Sequence, residues 1–261
     1  MVDFFITFAV CFFAGMGAGL GTGFAGMSAA AVITPMLVTF LGVEPYMAIG
    51  IALSSDVLAS GVSAYNYGKN KNLDIKNGSI MMASVLVFTF IGSYVADFLP
   101  SATMGGFSVF MTFLLGVKFI LKPVMTTKEA MDSIPDKQKI IRSVISGSAI
   151  GMICGFVGAG GGMMMLLVLT SVLGYELKTA VGTSVFIMTF TALTGAASHF
   201  IIDGKMPDIT ILILCVVFTF IWAQIASKFA NRASAKALNR ATGVILTILG
   251  AVIMVVNNFI K

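Results

Sequence analysis

The sequence predicts an all-α polytopic membrane protein built from two inverted repeats, each a glycine-broken helix hairpin followed by three spanning helices. Three observations predict it. First, 58% of the 261 residues are hydrophobic and only 10% charged, whereas a soluble domain carries about 25% charged residues. Mean hydropathy is +1.01, and the chain has room for about eight to ten apolar segments of membrane length. Second, a glycine-rich passage is written twice: Gly15, Met16, Gly19, Gly26 and Met27 recur, shifted by 136 positions, as Gly151, Met152, Gly155, Gly162 and Met163. Third, basic residues collect in some of the short loops and not in others, which is how a membrane chain encodes its orientation.

The elements follow in order. Apolar segments lie at roughly 2–22, 26–41, 45–67, 78–99 and 102–122, and again at 139–158, 162–173, 177–202, 208–230 and 239–260. This divides the chain into a membrane repeat over 1–122, a cytoplasmic linker over 123–138 and a second membrane repeat over 139–261. The linker holds the only long polar stretch, with Pro123 and Pro135 near its ends. The duplication continues beyond the glycines. Leu41, Gly42, Glu44, Ala48 and Gly50 recur as Leu173, Gly174, Glu176, Ala180 and Gly182, a shift of 132. Farther on, Gly68, Lys69, Asp74 and Ile75 are echoed by Gly204, Lys205, Asp208 and Ile209.

Loop charge sets the topology. Lys69, Lys71 and Lys76, the linker region with Lys118, Lys122, Lys128, Lys137, Lys139 and Arg142, and the group Lys228, Arg232, Lys236 and Arg240 read as cytoplasmic. Pro100 and Ser101, and the net acidic stretch 202–208, read as external. The loop after the third segment is thus inside in one half and outside in the other, so the repeats are inverted and both termini are expected outside. The start of the chain lacks a basic n-region and a small-residue cleavage site, and reads as a retained first segment.

In each half the second segment is unusual. Residues 163–173 span about 17 Å as a helix, against a hydrocarbon core of about 30 Å. Its counterpart contains Pro35, which removes an amide and kinks a helix. Glycine weakens a helix by about 1 kcal/mol relative to alanine, so both glycine clusters are expected to break helices. Irregular backbone at membrane depth is tolerated only in protein or beside a wet cavity, and duplicated breaks mark the binding site of a secondary transporter.

A helix starting at Gly26, Met27 and Ser28, or at Gly161, Gly162 and Met163, points unpaired amides at the turn, a setting suited to an anion, which suits the consecutive Gly160, Gly161 and Gly162 better than packing does. Close helix packing is the competing explanation for Gly15, Gly19, Gly151 and Gly155, whose four-residue spacing suits it. The third segments carry polar stripes: Asp56, Ser60, Ser63 and Tyr67 on one helix face, and Ser184, Thr191, Gly195 and Ser198 on the other. Their hydroxyls suit anionic oxygens, although single membrane hydroxyls are commonly bonded to their own helix. Asp56 costs roughly 2.5–3.5 kcal/mol at membrane depth. It reads either as a coupling residue that exchanges a proton or as a structural carboxyl bonded to another helix. Gln224 reads equally as cavity-lining or as a helix–helix contact, and His199 as interfacial.

Several classes are excluded. No metal-ligand spacing or nucleotide-binding motif occurs, so no cofactor, metal or direct ATP drive is expected. One histidine cannot supply paired haem ligands. Cys11, Cys154 and Cys215 lie in apolar stretches and read as small buried hydrophobes. The net charge of +5 sits in loops and not in a patch, so no nucleic acid is expected. The expected partners are a small anionic substrate and the lipid bilayer, and a homo-oligomer is compatible with the sequence.

The two glycine-rich breaks, and most specifically Gly158, Gly160, Gly161 and Gly162 followed by Ala180, Gly182, Thr183 and Ser184, resemble the TauE/SafE family of sulfite and organosulfonate exporters. The resemblance covers essentially the whole chain. It implies a multi-pass protein of the bacterial cytoplasmic (inner) membrane that moves sulfite, sulfoacetate or related organosulfonates. The first half departs from the pattern, with Gly23 and Gly26 in place of a glycine triplet, and with Asp56 where the second half has Met188. The combined expectation is a secondary transporter and not an enzyme, working by alternating access. It would hold substrate on Gly26, Met27, Ser28, Gly160, Gly161, Gly162, Thr183 and Ser184, and couple to protons through Asp56. The rival readings are an anion channel, and a membrane sulfur-relay partner or enzyme using Cys154.

Overall fold

The computed structural model describes residues 2–96, 113–114, 116–157, 161–203 and 207–259. Among these it is helical, with no strand. The helices are α1 (Val2–Ala25), α2 (Ala30–Leu41), α3 (Pro45–Lys69), α4 (Ile75–Ala96), α5 (Lys128–Asp132), α6 (Asp136–Val157), α7 (Gly161–Ser171), α8 (Leu177–Asp203), α9 (Ile209–Arg232) and α10 (Ala235–Phe259). A further helical stretch covers 116–121. Among the described residues, five helices are long and apolar enough to cross a membrane: α1, α3, α8, α9 and α10. The short second elements are also present, α2 with 12 residues and Pro35 inside it, and α7 with 11.

The repeated motifs become repeated caps. Gly42 and Gly174 are both left-handed, with φ of 64° and 69°. In each case the next amide reaches back to a carbonyl six residues earlier, Val43 to Leu37 at 3.3 Å and Tyr175 to Leu169 at 2.9 Å. Glu44 opens α3 by accepting from the amides of Tyr46 and Met47, each at 3.1 Å. Asp74 accepts from the Asn77 amide at 3.0 Å to open α4, and Asp208 accepts from Thr210 at 2.8 Å to open α9. Such acidic caps satisfy otherwise orphaned amides and sit favourably on the helix dipole.

Helices α3 and α8 pack together at the centre. A Cβ on Gly182 would meet Tyr67, one on Gly61 would touch Thr189, and one on Gly195 would meet Leu53, so the two helices run antiparallel. The first helix of each half packs against the fourth helix of the other half, α1 on α9 and α6 on α4. Glycine makes both contacts close. Gly15, Gly19 and Gly23 face Phe218, Trp222 and Ala226 in order, and Gly147 and Gly151 face Ser84 and Phe88. A Cβ on Gly19 would lie 2.6 Å from the Thr219 carbonyl, and one on Gly151 would lie 2.5 Å from that of Val85.

One expectation is corrected here. The first glycine cluster does not break α1, which runs unbroken from Val2 to Ala25 and ends only at Gly26. The intrahelical hydrogen bonds and the close α9 contact outweigh the low helix propensity of Gly15 to Gly23, as tertiary packing commonly does. The linker also carries structure. Thr127 caps α5, Lys128 donates to the Lys71 carbonyl, and the Asn239 amide both donates to and accepts from the backbone of Val124.

Burial is arranged for lipid. Phe5 and Phe90 are 74% and 80% exposed, while Asp56, Ser60, Ser63, Thr183 and Ser184 are buried. Polar groups inside and apolar groups outside is the distribution a hydrocarbon solvent favours.

Candidate functional site

The turn between α1 and α2 is where the elements converge. Gly26 has φ of +60°, a backbone that a residue with a Cβ adopts only with strain. Its amide bonds to the Thr22 carbonyl at 2.9 Å, and the Met27 amide reaches Gly21 at 3.2 Å. Side chains donate to four carbonyls at this turn, three of them from other helices. Tyr67 donates to Gly23 at 2.9 Å, Thr242 to Phe24 at 3.0 Å, Ser184 to Gly26 at 3.0 Å and Thr22 to Met27 at 2.8 Å. The turn is therefore gripped by α3, α8 and α10 together.

Ser28 donates to Asp56 Oδ2 at 2.7 Å, and Ser60 donates to Oδ1 at 2.8 Å. Asp56 is thus seated at the start of α2, where a free anion was expected. Hydrogen bonds to a charged group are worth about 1.5–3 kcal/mol each, so two of them offset an insertion cost of roughly 2.5–3.5 kcal/mol. Two turns farther along the same face, Ser63 Oγ is buried and has no hydrogen-bond partner.

The structure brings Gly26, Met27, Ser28, Asp56 and Ser184 together. Met27 is fully buried, and its Sδ–Cε end covers Gly21. With its amide and carbonyl already bonded, Met27 shapes the turn and offers no free donor. Thr183 faces elsewhere, its Oγ1 accepting from the Asp74 amide at 3.1 Å. Gly160 lies outside the described residues. Gly161 and Gly162 open α7, but their surroundings lie outside the described residues, as do the side chains of Cys154, Ser198 and His199. Cys11 and Cys215 are buried free thiols. Gln224 accepts from Asn66 at 2.6 Å, a bond between α9 and α3. Among the described residues no cluster suits a metal ion.

A second polar cluster was not anticipated. The Tyr175 phenol donates to Asp74 Oδ2 at 2.7 Å, and Asn77 Nδ2 donates to the same oxygen at 2.7 Å. Burial, and then the adjacent Asp74 carboxylate, pushes the Tyr175 phenol above its ordinary pKa, so it stays a donor. The sequence signal was the mismatch of Tyr175 with Val43 inside otherwise repeated motifs.

Comparison with known proteins places the chain in a family. Residues 11–253 match the family model described as sulfite exporter TauE/SafE. The chain is similar to the probable membrane transporter protein YdhB of Bacillus subtilis, at 24% identity over 82% of this chain and 86% of the relative. It also resembles the probable membrane transporter protein YunE of the same organism, at 26% identity over 75% and 79% of the two chains. A probable membrane transporter protein of Methanocaldococcus jannaschii is 25% identical over 89% and 87%.

Proposed function

This multi-pass membrane protein belongs to the TauE/SafE sulfite exporter family, and from that premise we propose that it carries small sulfur-containing anions such as sulfite or short organosulfonates by alternating access, coupled to protons through Asp56. The bacterial cytoplasmic membrane is the proposed location. The observation that carries the proposal is the bond between Ser28 and Asp56 at the glycine turn.

The Ser28 hydroxyl is a donor that a sulfonate or sulfite oxygen would take. An ionised Asp56 holds it. Once protonated, Asp56 no longer needs it as an anion does, and the repulsion of an incoming anion disappears. Proton and anion therefore load together, and the gradients decide the direction. Gly26 lets the turn form, Met27 closes it from behind, and Ser184 ties it to the second half. Gly160, Gly161 and Gly162 would supply the second half's donors. The unpartnered Ser63 hydroxyl, on the face that carries Asp56, is a further donor for the anion. We assign Thr183 to the Asp74 loop in place of substrate contact. The antiparallel course of α3 and α8, with the loop charges, supports the inverted arrangement on which alternating access rests.

The test is uptake of labelled sulfite and a panel of short sulfonates into proteoliposomes, with and without a pH gradient, for the wild type and Asp56→Asn. Saturable flux stimulated by the gradient and lost in the variant is expected. Gradient-driven flux that survives Asp56→Asn would remove Asp56 from coupling. A folded protein that moves no sulfur anion would overturn the substrate assignment.

A further inference from the structure

We propose that the hydrogen bond between Tyr175 and Asp74 is the lock of a gate that closes the basic end of the molecule across its two halves. Asp74 stands in the loop joining α3 to α4, and Tyr175 in the loop joining α7 to α8, so the bond crosses from one repeat to the other. Around it the same end is stitched further. Asn72 donates to Asn231 at 2.8 Å, Lys178 donates to the Asn231 carbonyl at 2.9 Å, and Lys76 pairs with Asp136 at 2.7 Å. The last pair is exposed and screened, so it contributes little. Tyr175 is fully buried, and its bond to a carboxylate is of the strong kind.

This loop rests on the part of α8 that holds the candidate site. A Cβ on Gly182 would collide with the Asn72 carbonyl, and Thr183 accepts from the Asp74 amide. The next residue, Ser184, holds Gly26. Lifting the 70–74 loop would therefore uncover the α8 turn that touches the substrate turn. Among the described residues, the aligned positions at the other end make no such bond. The aligned partners in the opposite repeat are Val43 and Asp208. Valine offers no hydroxyl, and Asp208 is exposed and caps only its own helix. A device that alternates between two sides needs a closure that breaks on one side at a time, and this asymmetry supplies it.

The proposal takes its purpose from the transporter reading, but its test needs no substrate, so a wrong substrate assignment would leave the result intact. Val181 is fully buried, and its carbonyl lies 3.4 Å from where a Cβ on Gly26 would sit. Val181→Cys is placed in a full-length chain whose Cys11, Cys154 and Cys215 are replaced by alanine. Labelling by a membrane-impermeant maleimide is then timed from the basic side in oriented vesicles. Slow labelling is expected with the lock intact. Tyr175→Phe and Asp74→Asn should each accelerate it at least about tenfold, the ratio that one hydrogen bond to a charged group is worth. The double variant should label no faster than the faster single variant, because both remove one bond. Asp208→Asn should leave the rate unchanged. Unaltered labelling in both single variants, additive effects in the double variant, or an equal acceleration by Asp208→Asn would each overturn the lock. If Tyr175→Phe does not fold, Asp74→Asn keeps an oxygen to cap α4 and decides the question.

Discussion

Replacing Gly26 by alanine separates two costs that the structure assigns to the glycine turn. The first is conformational: φ of +60° costs a residue with a Cβ about 1–2 kcal/mol. The second is contact. The new Cβ would stand 3.0 Å from both Cβ and Oγ of Ser184, with the Val181 carbonyl at 3.4 Å. The Ser184 Oγ can rotate, but its Cβ is fixed to α8, so the helices must part by a few tenths of an ångström. That overpacking costs about 1–3 kcal/mol, and the Ser184 hydrogen bond to the Gly26 carbonyl is strained with it. Gly42 supplies the internal control, because it has φ of +64° and a Cβ placed there would meet nothing within 4 Å. Gly42→Ala should therefore lose only the conformational part, about 1 kcal/mol, and Gly26→Ala about 3 kcal/mol. At about 2–4 °C per kcal/mol for a chain of this size, thermal unfolding in detergent should show losses of about 2–4 °C and about 6–12 °C. Flux should persist in Gly42→Ala and fall in Gly26→Ala. Equal shifts in Tm for the two variants would refute the seating of Ser184 on the turn.

Further outcomes follow from the same contacts. Gly19→Ala should lower stability by about 2–3 kcal/mol, because its Cβ meets the backbone of Thr219 and Ala223 at 2.6 and 2.8 Å. Gly17→Ala, which meets only the side-chain tips of Leu249 and Val32 at 3.1 and 3.2 Å, should be neutral or gain up to about 1 kcal/mol of helix propensity. Paired thermal melts check both. Asn66→Ala removes bonds to Gln224 and Ser227; at about 0.6 kcal/mol per interhelical bond in a membrane, it should cost about 1 kcal/mol in a detergent unfolding assay. Lys76 holds the exposed Asp136 below its ordinary pKa. Any stability this pair adds is present above about pH 4 and disappears as pH falls through the depressed value. Melting of Lys76→Ala should therefore match the wild type in acid and fall no more than marginally below it at neutral pH.

Membrane character and the matching helix ends were legible in the chain because each is a one-dimensional signal. Apolar runs have a length set by the bilayer, and repeated caps such as Gly42 with Gly174 carry the same backbone requirement twice. The stripe of Asp56, Ser60, Ser63 and Tyr67 was legible for a similar reason, since one helix face follows from 3.6-residue spacing alone. What faces that stripe was not. Propensity placed a helix break within the first glycine cluster, whereas the backbone of α9 lies against Gly15, Gly19 and Gly23 and keeps α1 whole. The start of α2 read as an open anion seat, and the fold fills it with the Asp56 carboxylate from the next helix. Thr183 and Ser184 stood together as one motif, yet adjacent helical residues point about 100° apart, and one bonds the Asp74 loop while the other bonds Gly26. The pairing of Tyr175 with Asp74 joins residues 101 positions apart. The chain by itself determined which residues need burial and which backbone shapes recur. Which donor meets which acceptor was decided only by tertiary structure, because hydrogen bonds in a membrane interior must be completed by whatever group the packing brings within reach.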